Sequence, residues 1–329
     1  MKEKYIYIAL TTVIFSTMEI ALKLVAGAFN PIQLTFTRFF IGGIFLIPFA
    51  VNTLNKKNMK ISKDDLKFFA FLGFLGTVVS MVLYQLAVVN TKASVVAVLF
   101  SCNPVFVTIL AYFLLKEAIH KNNIAALILD VAGIIVIINP LSTRLSAAGV
   151  ILTLTSTITF ALYGVSGKKK CAKFGGIVVT CFGFIFGSLE MLVLIGLSHV
   201  SAVSAMLSNA GLAIFSNIPL FTGYNLNTLP IISFICIINT GVGFACYFKS
   251  MEVTSAQTTS LVFFFKPILA PILALLVLHE VIPLNMLIGI LLILAGSLTS
   301  ILPGLSAQRA AKLNISEELI KNPAENYDA

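Results

Sequence analysis

Three ionisable residues stand in apolar stretches of their own sequence: Glu19, Arg38 and Lys266. In hydrocarbon such a side chain costs roughly 2.5–3.5 kcal/mol on insertion scales, so each needs a partner or a task. A buried carboxylate can exchange a proton or hold a cationic group, and a buried Arg or Lys can hold an anionic one. With helical rise, Glu19 lies roughly 9 Å below the end of its apolar run, and Arg38 roughly 10 Å below the start of the next. Matched depth predicts an ion pair between them. Lys23, one turn beyond Glu19 on the same face, is a second candidate partner. Such a set either couples protons to transport or locks two helices together for good, and the residue types allow both.

Asn103 and Lys266 form a second constellation. Each stands immediately before a proline, Pro104 and Pro267, near the middle of an apolar run. Proline removes a backbone donor and breaks the helix around it, which frees carbonyls. Interrupted spans at matching places are the best sequence pointer to a transporter's binding site. A lysine at the centre of a span must face an aqueous cavity, an anionic substrate group or a carboxylate. Glu19, Asp130 and Glu190 are the carboxylates available. Asp130 and Glu190 are read as relay or ion-pair residues, and Tyr84 and Tyr247 as residues lining the substrate cavity. Glu117 and Glu280 close their runs and are read as helix-end or gate ion-pair groups.

The elements that must position these residues follow from composition. Of 329 residues, 58% are apolar and 11% are charged, with a mean hydropathy of +1.02. A soluble globule cannot cover so much apolar side chain with polar surface. A soluble enzyme, a nucleic-acid binder and a disulfide scaffold are excluded, and a lipid bilayer is required. The net charge of +9 comes mostly from Lys in short loops beside apolar runs, not from a phosphate-reading face. The five Cys show no C-x-x-C pair, the three His show no ligand spacing, and there is no P-loop. No metal, cofactor or catalytic set is read, so the chain is not expected to be an enzyme.

Ten spans are expected, at 5–25, 31–51, 66–89, 93–115, 123–141, 147–167, 175–197, 228–248, 256–278 and 284–302. Each must be helical, because lipid offers no partners to a bare backbone. With the N-terminus inside, the inner segments hold 16 basic residues and the outer ones two, Lys92 and Arg144. The bias predicts both termini in the cytoplasm of a bacterial inner-membrane protein. The stretch from Ser198 to Asn227 carries no Lys or Arg and reads as an outer loop with an interfacial helix near 203–215.

The chain also repeats itself. Shifted by 163 residues, Tyr84 meets Tyr247, Thr91 meets Thr254, Pro104 meets Pro267, and Leu115 and Glu117 meet Leu278 and Glu280. Ala132-Gly133 meets Ala295-Gly296. Nearer the start of each half the offset is 145, with Phe15 on Phe160 and Lys23 on Lys168. The expected architecture is an all-α integral membrane protein of ten transmembrane helices in two five-helix repeats, 1–146 and 147–302, followed by a polar cytoplasmic tail, 303–329. An odd number of helices per repeat inverts the second half, which suits alternating access around a central site.

The two repeats, Arg38 in Thr37-Arg38-Phe39-Phe40, the Pro104…Leu115-x-Glu117 and Pro267…Leu278-x-Glu280 patterns and the Ala-Gly closings resemble the ten-helix EamA-type branch of the drug/metabolite transporter superfamily. The resemblance spans roughly residues 5–302. It implies a secondary transporter, an exporter or permease for amino acids, other small metabolites or drugs. The opening Tyr5-Ile6-Tyr7-Ile8…Glu19 also looks like the first helix of the small multidrug resistance branch. There a single carboxylate is shared by protons and cationic drugs, a role that would fall on Glu19. Lipid handling, as a flippase or scramblase of a lipid-linked group, is the alternative class. Substrate direction and oligomeric state are not readable from the residues.

Overall fold

With no water to receive it, the backbone of so apolar a chain is satisfied within each segment, and helices do this. The computed structural model describes residues 2–119, 121–139, 146–263, 266–296 and 298–299; every regular element among them is helical. The polar tail expected at 303–329 lies outside these residues. In chain order, α1 comprises Lys2–Ser16 and Met18–Val25, α2 is Pro31–Lys56, α3 Lys63–Asn90 and α4 Ala93–Leu115. Lys121–Ile138 forms α5, Ala147–Phe174 α6, Gly176–Ser198 α7 and Leu229–Val253 α8. Ala256–Leu278 forms α9 and Leu284–Gly296 α10. Among the described residues eight of these helices are long and apolar enough to cross a membrane. The apolar stretches of α5 (Ile124–Ile138) and α10 are shorter, and they are the fifth helix of each half. Several helices outrun their apolar cores: α2 continues to Lys56, α6 to Phe174 and α8 to Val253.

The repeat is visible in the irregularities. Both α3 and α8 carry a π-helical segment, Phe74–Ser80 and Phe234–Val242. Such widened turns leave backbone and side chains less tightly committed and are frequent at functional sites. Both α4 and α9 break in the middle. The first half of α4 ends at Phe100 and the second, Asn103–Leu115, restarts with Pro104 in its first turn. In α9, Ala256–Ser260 gives way to a 3-10 turn, Leu261–Phe263, before Lys266–Leu278. Lys116 and His279, 163 residues apart, both take left-handed backbone conformations (φ 60° and 53°). In consequence Glu117 N and Glu280 N each bond back over the turn, to Ala111 O and Ala274 O, at 3.2 Å.

The two halves pack into one body, with α2 lying along α7 and both α3 and α4 against α6. Gly73, Gly183 and Gly187 make the α3–α7 contact: a Cβ on Gly73 would stand 2.4 Å from Gly187 N. Between α7 and α8, the helix Ser201–Asn209 and a 3-10 turn at Ala213–Phe215 cover an apolar cavity of about 430 Å³ lined by residues such as Ile32, Val82, Met191 and Ile218. At the end of the bundle where α3 begins, Ser62 and Asp65 form a capping box, and Asp65 pairs with Lys170 (2.6 Å) and Lys173 (2.9 Å). Such a box satisfies orphan N–H groups of the first turn.

Candidate functional site

The buried charges meet where the broken helices restart. Lys266 opens the second half of α9, and its Nζ lies 2.5 Å from Glu19 Oε1. Both side chains are sealed from solvent, at 2% and 0% exposure. α1 is interrupted at Thr17, two residues before Glu19, where Thr17 Oγ1 donates to Ile14 O and Asn239 Oδ1. The ammonium also stands over three aromatic rings: Phe100 (4.9 Å), Phe263 (5.7 Å) and Tyr84 (5.8 Å). A cation in such a cage gains from ring quadrupoles as well as from its carboxylate. Tyr84 lies within electrostatic reach of both Glu19 and Arg38.

Arg38 is fully buried. It stacks on Phe39 at 4.6 Å and donates from Nη1 to Met18 Sδ at 3.6 Å. Among the described residues its Nε and Nη2 make no hydrogen bond, and neither do Asn103 Oδ1, Asn239 Nδ2 or Thr240 Oγ1, while the Tyr84 hydroxyl faces the Glu19 carboxylate. Asn103 Nδ2 donates to Thr157 O at 3.2 Å.

The Glu19–Arg38 pair expected from depth is therefore not made: Glu19 takes Lys266, from the other half of the chain. Sequence depth along neighbouring helices does not fix which faces meet, and rotation about the helix axis decides it. Lys23 does not reach Glu19 either. It turns to the end of α3 and donates to Val88 O and Thr91 O, both at 2.8 Å. Asp130 Oδ1 lies against Gly296 of α10 and within electrostatic reach of Cys102, and Glu190 lies on α7. Neither has an ion-pair partner among the described residues. Tyr247 is buried with Phe15, Phe160 and Phe263 around it.

The site is built of repeat-related pairs: Phe15 with Phe160, Tyr84 with Tyr247, Phe100 with Phe263, and Asn103 with Lys266. Phe39 and Phe184, 145 residues apart, meet edge to face at 4.6 Å. Phe100 and Phe263 lie 5.7 Å apart. The sequence pairs Phe15 with Phe160 but does not single out Phe100, Phe184 or Phe263 among many phenylalanines in apolar runs; applying the two offsets to every aromatic residue finds them.

A second pair of devices brackets the site. Glu280, just past the end of α9, accepts from Ala93 N (2.8 Å), Ser94 N (3.0 Å) and Ser94 Oγ (2.5 Å) at the start of α4. Glu117, just past the end of α4, accepts from Ala256 N (3.1 Å) and Gln257 N (3.4 Å) at the start of α9. These contacts are repeat-equivalent and show that α4 and α9 run antiparallel. A carboxylate on a helix N-terminus meets free N–H groups and the positive end of the dipole. A lysine completes each device. Lys23 binds the carbonyls at the end of α3, and Lys168 binds Met251 O and Thr254 O at the end of α8. Val88 and Thr91 are the repeat equivalents of Met251 and Thr254, as Lys23 is of Lys168. Each inter-helix turn is thus held by a lysine on its carbonyl side and a glutamate on its N–H side. The helix-end reading of Glu117 and Glu280 gains a specific partner: backbone N–H groups of the other half rather than a side-chain cation.

Residues 3–139 and 147–302 match the EamA-like transporter family. An uncharacterized transporter of Clostridium kluyveri is 36% identical over 306 residues, covering 91% of this chain and 93% of its own length. Another, from Archaeoglobus fulgidus, is 27% identical and covers 89% and 97%. The uncharacterized transporter YoaV of Bacillus subtilis is 23% identical, covering 87% and 92%. A solved protein crystal structure shares the fold with a TM-score of 0.65 at 16% identity, covering 91% of this chain and 97% of its own.

Proposed function

Because the chain belongs to the EamA-like transporter family, we propose that it is a secondary transporter that exports a small metabolite, of the class of amino acids and related compounds, by alternating access. The halves are 1–146 and 147–302. They rock about the Glu19–Lys266–Arg38 site, and the two glutamate clamps act as gates. The observation that supports this is the pair of repeat-equivalent clamps, both engaged, at opposite ends of one buried charged site. A protein that alternates must break one while keeping the other, and inverted symmetry supplies two matching devices. Glu19 is the residue on which a proton would exchange, since its buried carboxylate meets Lys266 from the other half of the chain. The charge bias of the loops supports a reading with both termini on the cytoplasmic side of a bacterial cell membrane.

The test is efflux of a mixed metabolite pool from proteoliposomes under an imposed pH gradient, wild type against Glu19→Gln, read by mass spectrometry. Selective efflux that needs both Glu19 and the gradient is expected. Efflux indifferent to both reduces the protein to a facilitator with a structural ion pair, and efflux of nothing from any pool rejects transport of small metabolites. Lipid handling is favoured by one observation, the apolar cavity beneath Ser201–Asn209. Scrambling of a labelled lipid by the reconstituted chain would support that second reading.

A further inference from the structure

The charges at the centre do not balance. Glu19 and Lys266 form a unit that is neutral whether their shared proton sits on nitrogen or on oxygen. Arg38 remains. Its guanidinium stays protonated in proteins, it is fully buried, and no carboxylate pairs with it among the described residues. Met18 Sδ and the Phe39 face are soft, neutral contacts, and they leave Nε and Nη2 without an acceptor. An uncompensated buried cation is costly, and a structure retains one where the missing charge arrives with something else.

Repeat symmetry sharpens the point. The equivalent of Glu19 in the second half is Gly164, that of Arg38 is Gly183, and that of Lys266 is Asn103. None of the three charges is copied, although the aromatic residues around them are. In the second half the Tyr247 hydroxyl stands 2.8 Å from where a Cβ on Gly164 would be, so no side chain fits in the place that Glu19 takes beside Tyr84. The charged set therefore belongs to one side of the pseudo-symmetric core.

We infer that this site takes a small organic monoanion, a carboxylate whose two oxygens lie on Nε and Nη2 of Arg38 and whose apolar remainder packs on the Phe39, Phe244 and Phe15 rings. Arg matches a carboxylate with two parallel hydrogen bonds. Phe39 packs on Phe244 at 5.6 Å and Phe244 on Phe15 at 5.1 Å, so an aromatic wall runs from Arg38 toward the Lys266 cage. Binding brings the core to neutrality. A zwitterion would leave the excess charge in place, and a cation would double it. The inference rests on the transporter reading and moves its small-metabolite substrate from amino acids to related acids that carry no amino group.

The full chain in nanodiscs is titrated with butyrate and phenylacetate, and with phenylacetamide, phenethylamine and phenylalanine as neutral, cationic and zwitterionic counterparts. Binding is read by calorimetry and by shift of melting temperature. At least one carboxylate is expected to bind at least tenfold more tightly than the amide, amine and amino acid. Arg38→Met is expected to abolish that preference while the ligand-free protein keeps or raises its melting temperature, because the unpaired charge is gone. Arg38→Lys, which keeps the charge and loses the fork, covers the case in which the methionine variant fails to fold; it should weaken carboxylate binding about tenfold. Preference for the amine or the amino acid, binding by neither carboxylate, or carboxylate binding unchanged in both variants overturns the inference. Flux assays separate the two readings. Flux of cations or zwitterions alone keeps the transporter and refutes the anion, whereas carboxylate binding without flux does the reverse.

Discussion

Neutralising one clamp glutamate should open one end of the molecule and leave the other shut. In Glu280→Gln the amide keeps one acceptor oxygen and turns its other end into a donor. It faces two N–H groups and one hydroxyl, so one of the two backbone donors loses its acceptor and the charge assistance of all three bonds disappears. A hydrogen bond to a charged group contributes about 1.5–3 kcal/mol, and a charge at a helix end about 0.3–1 kcal/mol. Glu280 is half-buried, so water recovers part of this, leaving a loss of about 2–3 kcal/mol for the closed state. At a factor of ten per 1.4 kcal/mol, the closed-to-open ratio at that end falls about 30- to 150-fold. Glu117→Gln should do the same at the opposite end, more weakly, since its bonds are longer. The assay is maleimide labelling in nanodiscs, where both faces are accessible, of cysteines introduced at Ala97 and Ser260. These are repeat-equivalent, buried, and one turn beyond each clamp. All five native thiols are buried, which keeps the background low. Glu280→Gln should speed labelling at 97 and not at 260, and Glu117→Gln the reverse. Equal acceleration at both positions in either variant, or none, would refute the gate assignment and leave the clamps as ordinary helix caps.

Two further outcomes follow from the ion pairs. Lys266→Met alone should destabilise the fold by about 3–5 kcal/mol, because it strands Glu19 in an apolar cage, and adding Glu19→Gln should recover most of that; strictly additive losses in melting experiments would mean the pair carries no coupling. Asp65→Asn removes two lysine contacts and weakens the capping box of α3. With both lysines partly in water, the expected cost is about 2 kcal/mol, read as a lower melting temperature with no change in labelling at positions 97 and 260.

The helices and the repeat were legible because both are periodic properties of a chain: apolar length declares a span, and matched Pro, Glu and Gly declare a copy. Pro104 and Pro267 marked where α4 and α9 break for the same local reason. Glu19 was one of three carboxylates weighed for Lys266 and is the one it meets, but the choice among them and the partner of Lys23 were not legible. Residues at equal depth on adjacent spans can face the same way or opposite ways, and a shift of one residue turns a helical side chain by roughly 100°. The interruption of α1 at Thr17 lies two residues before Glu19, and no proline or glycine announces it. The clamps were half visible. The repeated Glu117 and Glu280 were plain, but the groups that donate to them are backbone N–H groups, which carry no sequence signature. The left-handed turns that aim them occur at Lys116 and His279, where no glycine gives them away.

On the proposed function, the same arrangement offers a route by which a central ligand would act on the gates. The second half of α4 begins at Asn103 in the site and ends beside Glu117; the second half of α9 begins at Lys266 and ends beside Glu280. Each is a 13-residue helix, stiff along its axis and roughly 20 Å long. A displacement imposed on its first residue is delivered to the clamp carboxylate at its other end. The two levers match in length, but their inputs differ. Lys266 is tied by charge to Glu19 and answers to any new charge beside Arg38, while Asn103 is held by one neutral bond to Thr157 O. If the site takes a charged ligand as proposed, that ligand should pull on the Glu280 lever more than on the Glu117 lever. On that reading two symmetric gates driven by an asymmetric site should respond unequally, and the inequality would make a ligand favour one access state over the other.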